Sequence, residues 1–265
     1  MPSADTVALA VAQFAPTGDA EANLGEIARL AHVAADRGAR VVVFPEYSSA
    51  FVEPFDERLV AMAQDLDGPF TAALTALASR LGIHLVAGLL ERGSDGRRVR
   101  NTVAAVDATG PVATYRKLHL YDAFGQRESD WVQPGDLETP QTLHAGDLTF
   151  GIMTCYDLRF PEHARIVVDA GAEVLVLPAA WVAGDDKLHH WRTLATARAI
   201  ENTVYVVAAA QGGARYTGHS IVVDPLGRVI AEAGSGDETI SADISPGTVT
   251  AARDVNPSLA NRRIR

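Results

Sequence analysis

The only cysteine of the chain, Cys155, closes the apolar run "LTFGIMTC", after which the sequence turns abruptly polar. Two other reactive side chains are placed in the same way: "VVVFPE" ends in Glu46 and "VATYRK" ends in Lys117. Each run reads as a buried strand, and the C-terminal ends of such strands are where α/β proteins gather ligands and chemistry. A thiol needs a proton acceptor or a positive field to become a useful nucleophile at neutral pH. A carboxylate at a dry strand end can take that proton and later return it. An ammonium can stabilise both the thiolate and the oxyanion of a tetrahedral intermediate. The three together suit acyl transfer from a C–N compound through a thioester: Glu46 as base and then acid, Cys155 as nucleophile, Lys117 as the positive charge. Taken one at a time, each has a plainer reading as a core cysteine, a loop carboxylate or a surface lysine. Three strand ends point to a shared pocket.

The elements that must position these residues are visible in the pattern. "VALAVAQF" is a short apolar run. "NLGEIARLAHVAADRG" sets Leu24, Ile27, Leu30, Ala31 and Ala34 at helical spacing and closes on Gly38, suited to a C-terminal cap. "ARVVVFPE" is apolar on both faces, as a buried parallel strand is. "GPFTAALTALASRLG" predicts a helix with Pro69 near its first turn and Gly82 at its end. Strands follow at "IHLVAGLL", "RNTVAAVD" and "VATYRK", then a hairpin around "HAGD". Beyond Cys155 the alternation returns: helix at "PEHARIVVDAG", strand at "EVLVLPAA", helix at "KLHHWRTLATARAIEN", strand at "VYVVAAA". A late hairpin turns at "DPLG". The end, "DVNPSLANRRIR", reads as irregular. With no linker and no repeat, one α/β domain with mixed sheets is expected over residues 1–265.

Composition narrows the partners. The chain has 265 residues and a formal charge of −10, which disfavours nucleic acid and anionic membranes, since both want a basic face. One cysteine excludes an internal disulfide and suits a reducing, cytoplasmic setting. The start has no basic n-region and only a short apolar run, so no secretory leader is expected. No run is long enough to cross a bilayer. Among 23 Lys and Arg residues only Lys117 and Lys187 are lysines. The two cations differ in geometry and in how readily the pKa moves, so a lysine here calls for an explanation.

The blocks "VVVFPEY", "TYRKLHLYD" and "CYDLRFPE" together resemble the nitrilase superfamily of carbon–nitrogen hydrolases, which carries a Glu–Lys–Cys triad in this chain order. The resemblance runs over nearly the whole chain, through "ESDWVQPGD", "WRTLATARAIENTVYVV" and "GHSIVVDPLGRVI". It implies a four-layer α-β-β-α sandwich with two mixed β-sheets, no metal or organic cofactor, and a homodimer or higher homo-oligomer. The tail of about residues 246–265 is then a candidate for the subunit interface. By position, Glu46 becomes general base and acid, Lys117 the oxyanion stabiliser and Cys155 the nucleophile. Glu128 matches the second pocket glutamate, which would orient the amide nitrogen or tune Lys117. The backbone N–H of Tyr156 would join Lys117 in the oxyanion hole. Nitrile-cleaving members commonly follow the cysteine with Trp-Glu, and carbamoylases with Asn and a later Arg-Arg-Trp. This chain has Cys155-Tyr156-Asp157 and Leu158-Arg159-Phe160, closer to the amidase and omega-amidase-like branch. Amide hydrolysis is therefore expected, with nitrile or N-carbamoyl hydrolysis as the alternative and acyl transfer to an amine as a nearer variant.

Other residues bear on the substrate. Arg159 could clamp a substrate carboxylate with its planar fork, or pair with Asp157 or a nearby Glu to hold the loop. The first reading makes the substrate the monoamide of a small dicarboxylic acid. Tyr47, Phe124 and Trp181 are candidate pocket walls that would suit a short aliphatic amide. His189 and His190 are neighbours on a helix, diverge by about 100° and make a poor metal pair. Arg198 and Glu201 form a candidate helix-anchoring pair. A Cys–His hydrolase would need His119, two residues beyond Lys117, to activate Cys155. A binding or scaffold protein that kept the fold without the chemistry is the reading from outside enzymology.

Overall fold

The computed structural model describes residues 6–264; the first five residues and Arg265, part of the expected domain and tail, lie outside the described residues. Strand β1 (Val7–Gln13) leads into helix α1 (Ala20–Asp36), β2 (Val41–Val43), α2 (Glu57–Met62), α3 (Pro69–Leu81), β3 (His84–Arg92), β4 (Val99–Asp107) and β5 (Gly110–Arg116). After β6 (Val132–Gln133) come the hairpin β7 (Thr142–Ala145) and β8 (Leu148–Ile152), then α4 (Pro161–Asp169) and β9 (Val174–Ala179). Helix α5 (Lys187–Asn202), β10 (Tyr205–Ala210), the hairpin β11 (Ile221–Val223) and β12 (Val229–Glu232), β13 (Glu238–Ile244) and α6 (Pro246–Val255) complete the order. Local chemistry sets the helix ends. The Asp19 carboxylate accepts from the N–H groups of Glu21 and Ala22 at the start of α1, and Gly82 closes α3 in the left-handed conformation.

Two sheets form, with strand orders β13-β1-β2-β3-β4-β5, where β6 also pairs with β4, and β12-β11-β10-β9-β8-β7. Each has a parallel centre, β1-β2-β3 in one and β8-β9-β10 in the other, flanked by antiparallel strands. Between the sheets, Leu9, Val11, Val43 and Val86 pack with Phe150, Ile152, Val176 and Val207. The outer face of the first sheet packs on α1 and α3 through Phe44, Leu85, Ile27 and Leu74. The outer face of the second packs on α4 and α5 through Leu175, Leu177, Val167 and Trp191. The result is the α-β-β-α sandwich with two mixed sheets. Its central strands are apolar on both faces because each is covered twice.

Four elements escape the pattern reading, the two-residue β6 among them. Helix α2 is a single short turn around Leu59. Strand β13, "ETISADI", is an edge strand whose polar residues face out, so its alternation is weak. Helix α6 starts at Ser245, whose hydroxyl accepts from Thr248 N–H, and buries Val249 and Ala252. Residues 256–264 have no regular structure, yet the Arg262 guanidinium bonds the Asp169 carboxylate of α4 at 2.5 and 2.9 Å, so this segment packs on its own chain. Strand β5 corrects one expectation: it is the edge of its sheet and half open, so "VATYRK" is not a doubly buried strand.

One glycine links the fold to the first reactive residue. The Pro45–Ser49 turn lies flat on β3, with Gly88 N–H donating to Pro45 O (3.2 Å) and Ser49 N–H to Gly88 O (3.0 Å). A Cβ on Gly88 would fall 2.3 Å from the Tyr47 nitrogen and 2.7 Å from the Glu46 carbonyl carbon. No flexible side chain can yield there, because both atoms are backbone. Gly88→Ala should therefore cost about 1–3 kcal/mol by overpacking and shift Glu46. A lower midpoint in thermal unfolding together with reduced turnover is expected; wild-type values of both would refute this coupling.

Candidate active site

Glu46 lies in the turn after β2, Lys117 is the first residue past β5, and Cys155 opens a 3-10 turn, Cys155–Arg159, just past β8. Glu128 opens a second such turn, Glu128–Asp130. All four are buried at the floor of one cavity of about 450 Å³, with Lys117 2% and Glu46 1% exposed. Cys155 has φ +45°, left-handed backbone that a non-glycine residue adopts at a cost and that tends to persist at functional sites.

The floor is held by a dense set of hydrogen bonds. The Lys117 ammonium donates to Glu46 Oε1 (2.9 Å) and to Glu128 Oε2 (2.9 Å) and Oε1 (3.1 Å). Asn101 Nδ2 donates to Glu46 Oε1 (2.6 Å) and Glu128 Oε1 (3.1 Å). The backbone N–H of Ala180 donates to Glu46 Oε2 (2.5 Å), Tyr121 N–H to Glu128 Oε2 (2.6 Å), and the Tyr47 hydroxyl to Glu128 Oε1 (2.8 Å). Burial alone would push the Lys117 pKa down, but the carboxylates of Glu128 and Glu46 outweigh it and hold the ammonium charged. Burial and the Glu46 charge push the Cys155 thiol up against the opposing pull of Lys117, so the resting group is a thiol. That arrangement calls for a base at the moment of attack, and Glu46 is in place to be one.

The remaining expected residues fall in different places. Tyr47 lines the cavity but is 2% exposed and serves mainly to brace Glu128. Tyr156 and Trp181 line the cavity wall, and the Trp181 indole N–H donates to Lys187 O (2.9 Å). Phe124 stands at the mouth, 63% exposed, rather than in the wall. Arg159 faces the cavity, its guanidinium carbon 4.9 Å from the Trp181 ring centre. It does not pair with Asp157, because both Asp157 oxygens are already used. Oδ2 accepts from the Tyr115 hydroxyl (2.6 Å) and Thr154 N–H (2.9 Å), and Oδ1 is bonded to His119 Nδ1 (2.7 Å) and accepts from His119 N–H (3.2 Å). His119 is thereby aimed at Asp157 and stacked on Phe160. Arg198 bonds Glu201 (3.0 Å) as expected of a helix pair, and also reaches Leu158 O (2.7 Å) on the Cys155 turn. Among the described residues no group of His, Cys, Asp and Glu is arranged to hold a metal, and no helix is long and apolar enough to cross a membrane.

Sequence reasoning missed Asn101, the Ala180 N–H and the pocket position of Lys187. Asn101 carried a signal: an amide in the middle of a strand rich in Val, Ala and Thr runs against strand preference. The Ala180 N–H carried none, since any residue presents one.

Asp157 ties the Cys155 turn to the segment after Lys117. Burial would raise its pKa, yet the hydrogen bonds from His119 and Tyr115 bring it below the ordinary carboxyl value. A depressed carboxyl stabilises above its unfolded pKa and loses that stabilisation as pH falls through the folded one. Asp157→Asn should lower the unfolding midpoint near neutrality, by an amount reflecting about 1–3 kcal/mol per strained partner. The gap to wild type should hold from neutrality down to about pH 4 and close as pH falls further, through the folded pKa. A gap that stays constant with pH would show that the carboxylate charge is not what matters.

The chain is similar to known proteins over nearly its whole length. The family model described as carbon-nitrogen hydrolase matches residues 8–254. The deaminated glutathione amidase of Escherichia coli O157:H7 is 40% identical over 255 residues, 96% of this chain and 97% of that protein. The Caenorhabditis elegans NitFhit structure superposes with a TM-score of 0.90 at 32% identity over 98% of this chain, which spans 65% of that longer protein. An amidase mutant from Nesterenkonia sp. AN1, solved with the acetamide moiety of fluoroacetamide added covalently at the active site cysteine, superposes with a TM-score of 0.79 at 25% identity, over 99% of this chain and 95% of that one. The chain belongs to the carbon–nitrogen hydrolase family, in the amidase-like branch of the nitrilase superfamily.

Proposed function

We propose that this protein hydrolyses an amide of a small carboxylic acid through a thioester on Cys155. The observation that carries the reading is the convergence of Glu46, Lys117 and Cys155 on one buried floor, with a resting thiol beside a carboxylate. Glu46 accepts the thiol proton as sulfur bonds to the carbonyl carbon. The carbonyl π electrons move onto oxygen, where the Lys117 ammonium and the Tyr156 N–H stabilise the oxyanion. Collapse of that intermediate breaks the C–N bond, and the proton held by Glu46 goes to the departing nitrogen, releasing ammonia or an amine. Water then gives a proton to Glu46 and its oxygen attacks the thioester carbon. The C–S bond breaks, the acid leaves, and the proton returns to sulfur. Glu128, whose two oxygens already accept from Lys117, Asn101, Tyr47 and Tyr121, keeps Lys117 oriented and charged.

The acyl part fits a short aliphatic acid or a dicarboxylic acid bearing one amide, with Arg159 as the group that would hold a second carboxylate. The name of the Escherichia coli relative, deaminated glutathione amidase, supports amide hydrolysis as the reaction class, and the covalent adduct in the Nesterenkonia amidase supports a cysteine nucleophile. A cytoplasmic homo-oligomer acting on a free small molecule, without cofactor, is part of the same proposal.

The test mixes wild type and Cys155→Ala with butyramide, succinamic acid and butyronitrile, assaying released ammonia and the intact mass of quenched enzyme. Ammonia from an amide, with an acyl adduct on wild type and none on Cys155→Ala, is expected. Turnover of the nitrile alone would overturn the amidase reading. Glu46→Gln should lower turnover by about 10²–10⁴-fold while retaining the fold; turnover within a few-fold of wild type would remove Glu46 from the mechanism.

A further inference from the structure

The wall above the floor holds two cations that, among the described residues, no carboxylate neutralises. The polar contact of the Arg159 guanidinium is His190 Nδ1 at 3.5 Å, and that of the Lys187 ammonium is the Tyr121 hydroxyl at 2.8 Å. Among the described residues neither pairs with an Asp or Glu, and Arg159 Nε is buried with no hydrogen-bond partner. Both side chains line the cavity that contains Cys155. Aromatic faces enclose them: Lys187 Nζ lies 3.5 Å from the Phe124 ring centre, and the Arg159 guanidinium carbon 4.9 Å from that of Trp181 and 5.5 Å from that of Phe124. Ring faces attract cations but supply no full countercharge.

This arrangement is costly in the free protein. The chain has 33 acidic residues, and Glu53 and Asp130 line the same cavity, yet these pair with Arg215 and Arg127 and not with Arg159 or Lys187. Lys187 is 7% exposed, and it stands in the first turn of α5, where a cation opposes the helix dipole. Burial and the neighbouring Arg159 charge both lower its pKa. An ammonium has three N–H donors and Lys187 uses one on Tyr121, leaving two for a ligand.

We propose that Lys187 and Arg159 form one anion subsite beside Cys155, and that Lys187 makes the enzyme select amides carrying a carboxylate over neutral amides of the same length. The proposal deepens the amidase reading and rests on it for the selectivity, though not for the binding. A direct test titrates succinate into Cys155→Ala by calorimetry, then into the same background carrying Lys187→Met or Lys187→Arg. Succinate should bind Cys155→Ala, bind the Met variant at least about tenfold more weakly, as loss of a charge-assisted hydrogen bond predicts, and bind the Arg variant nearly as well as the parent. In the active enzyme, the ratio of kcat/KM for succinamic acid to that for butyramide should exceed one and fall at least about tenfold in Lys187→Met. No succinate binding, affinity indifferent to Lys187→Met, or equal losses with both amides would overturn the subsite. Binding of succinate through Lys187 without turnover of either amide would sustain the subsite and sink the amidase reading. Thioester and ammonia with Lys187-independent binding would do the reverse.

Discussion

A lysine ammonium buried between two carboxylates is the interaction on which the rest of this structure depends. Lys117 could not stay charged at 2% exposure without Glu46 and Glu128 at 2.9 Å. Removing one member of such a set leaves an uncompensated charge in a dry site. The three come from separate parts of the first sheet's connections, and Asn101 on β4 donates to both carboxylates, so the charges are fixed relative to one another. Cys155, from the second sheet, is brought to this cluster and inherits its field. Burial and the Glu46 charge therefore hold the thiol pKa up against the pull of Lys117.

Holding groups from two sheets in register requires contacts that cross between them. The Ala180 N–H after β9 reaches back to Glu46 Oε2, and the Gln211 side chain beyond β10 donates to Glu46 O (2.9 Å). Asp157 does the same in the other direction, gathering donors from Tyr115 on β5 and His119 beyond it. The Cys155 turn is further pinned by Arg198 of α5 through Leu158 O. The left-handed backbone at Cys155 can persist because so many bonds determine its surroundings.

The two lysines of an otherwise arginine-based chain turn out to line the same cavity. Lys117 on the floor is neutralised by carboxylates; Lys187 in the wall is not. A compact ammonium suits the crowded floor, where a planar guanidinium would need a fork of oxygens. The scarcity of lysine was visible in composition, and its meaning lies in that shared placement.

The chain alone determined its strand–helix alternation and the strand ends where its reactive residues gather, while the four layers were what the family resemblance implied. Doubly apolar runs such as "VVVF" and "EVLVLPA" can only be central strands, because both faces must be covered, and the helix spacing in "NLGEIARLAHVAADRG" leaves one face to cover them. Reactive types at the ends of such runs, Glu46, Lys117 and Cys155, were legible for the same reason: a strand end faces a crevice. Strand β13 and helix α6 were less so, since edge positions are half solvated and mute the periodicity. Tertiary structure alone decided which partner each polar group takes. Whether Arg159 meets Asp157 or the cavity depends on Tyr115 and His119, some forty residues earlier, occupying Asp157 first. The Ala180 N–H and the unneutralised state of Lys187 likewise have no local signature, because a hydrogen bond or a missing countercharge is a property of three-dimensional neighbours and not of sequence spacing.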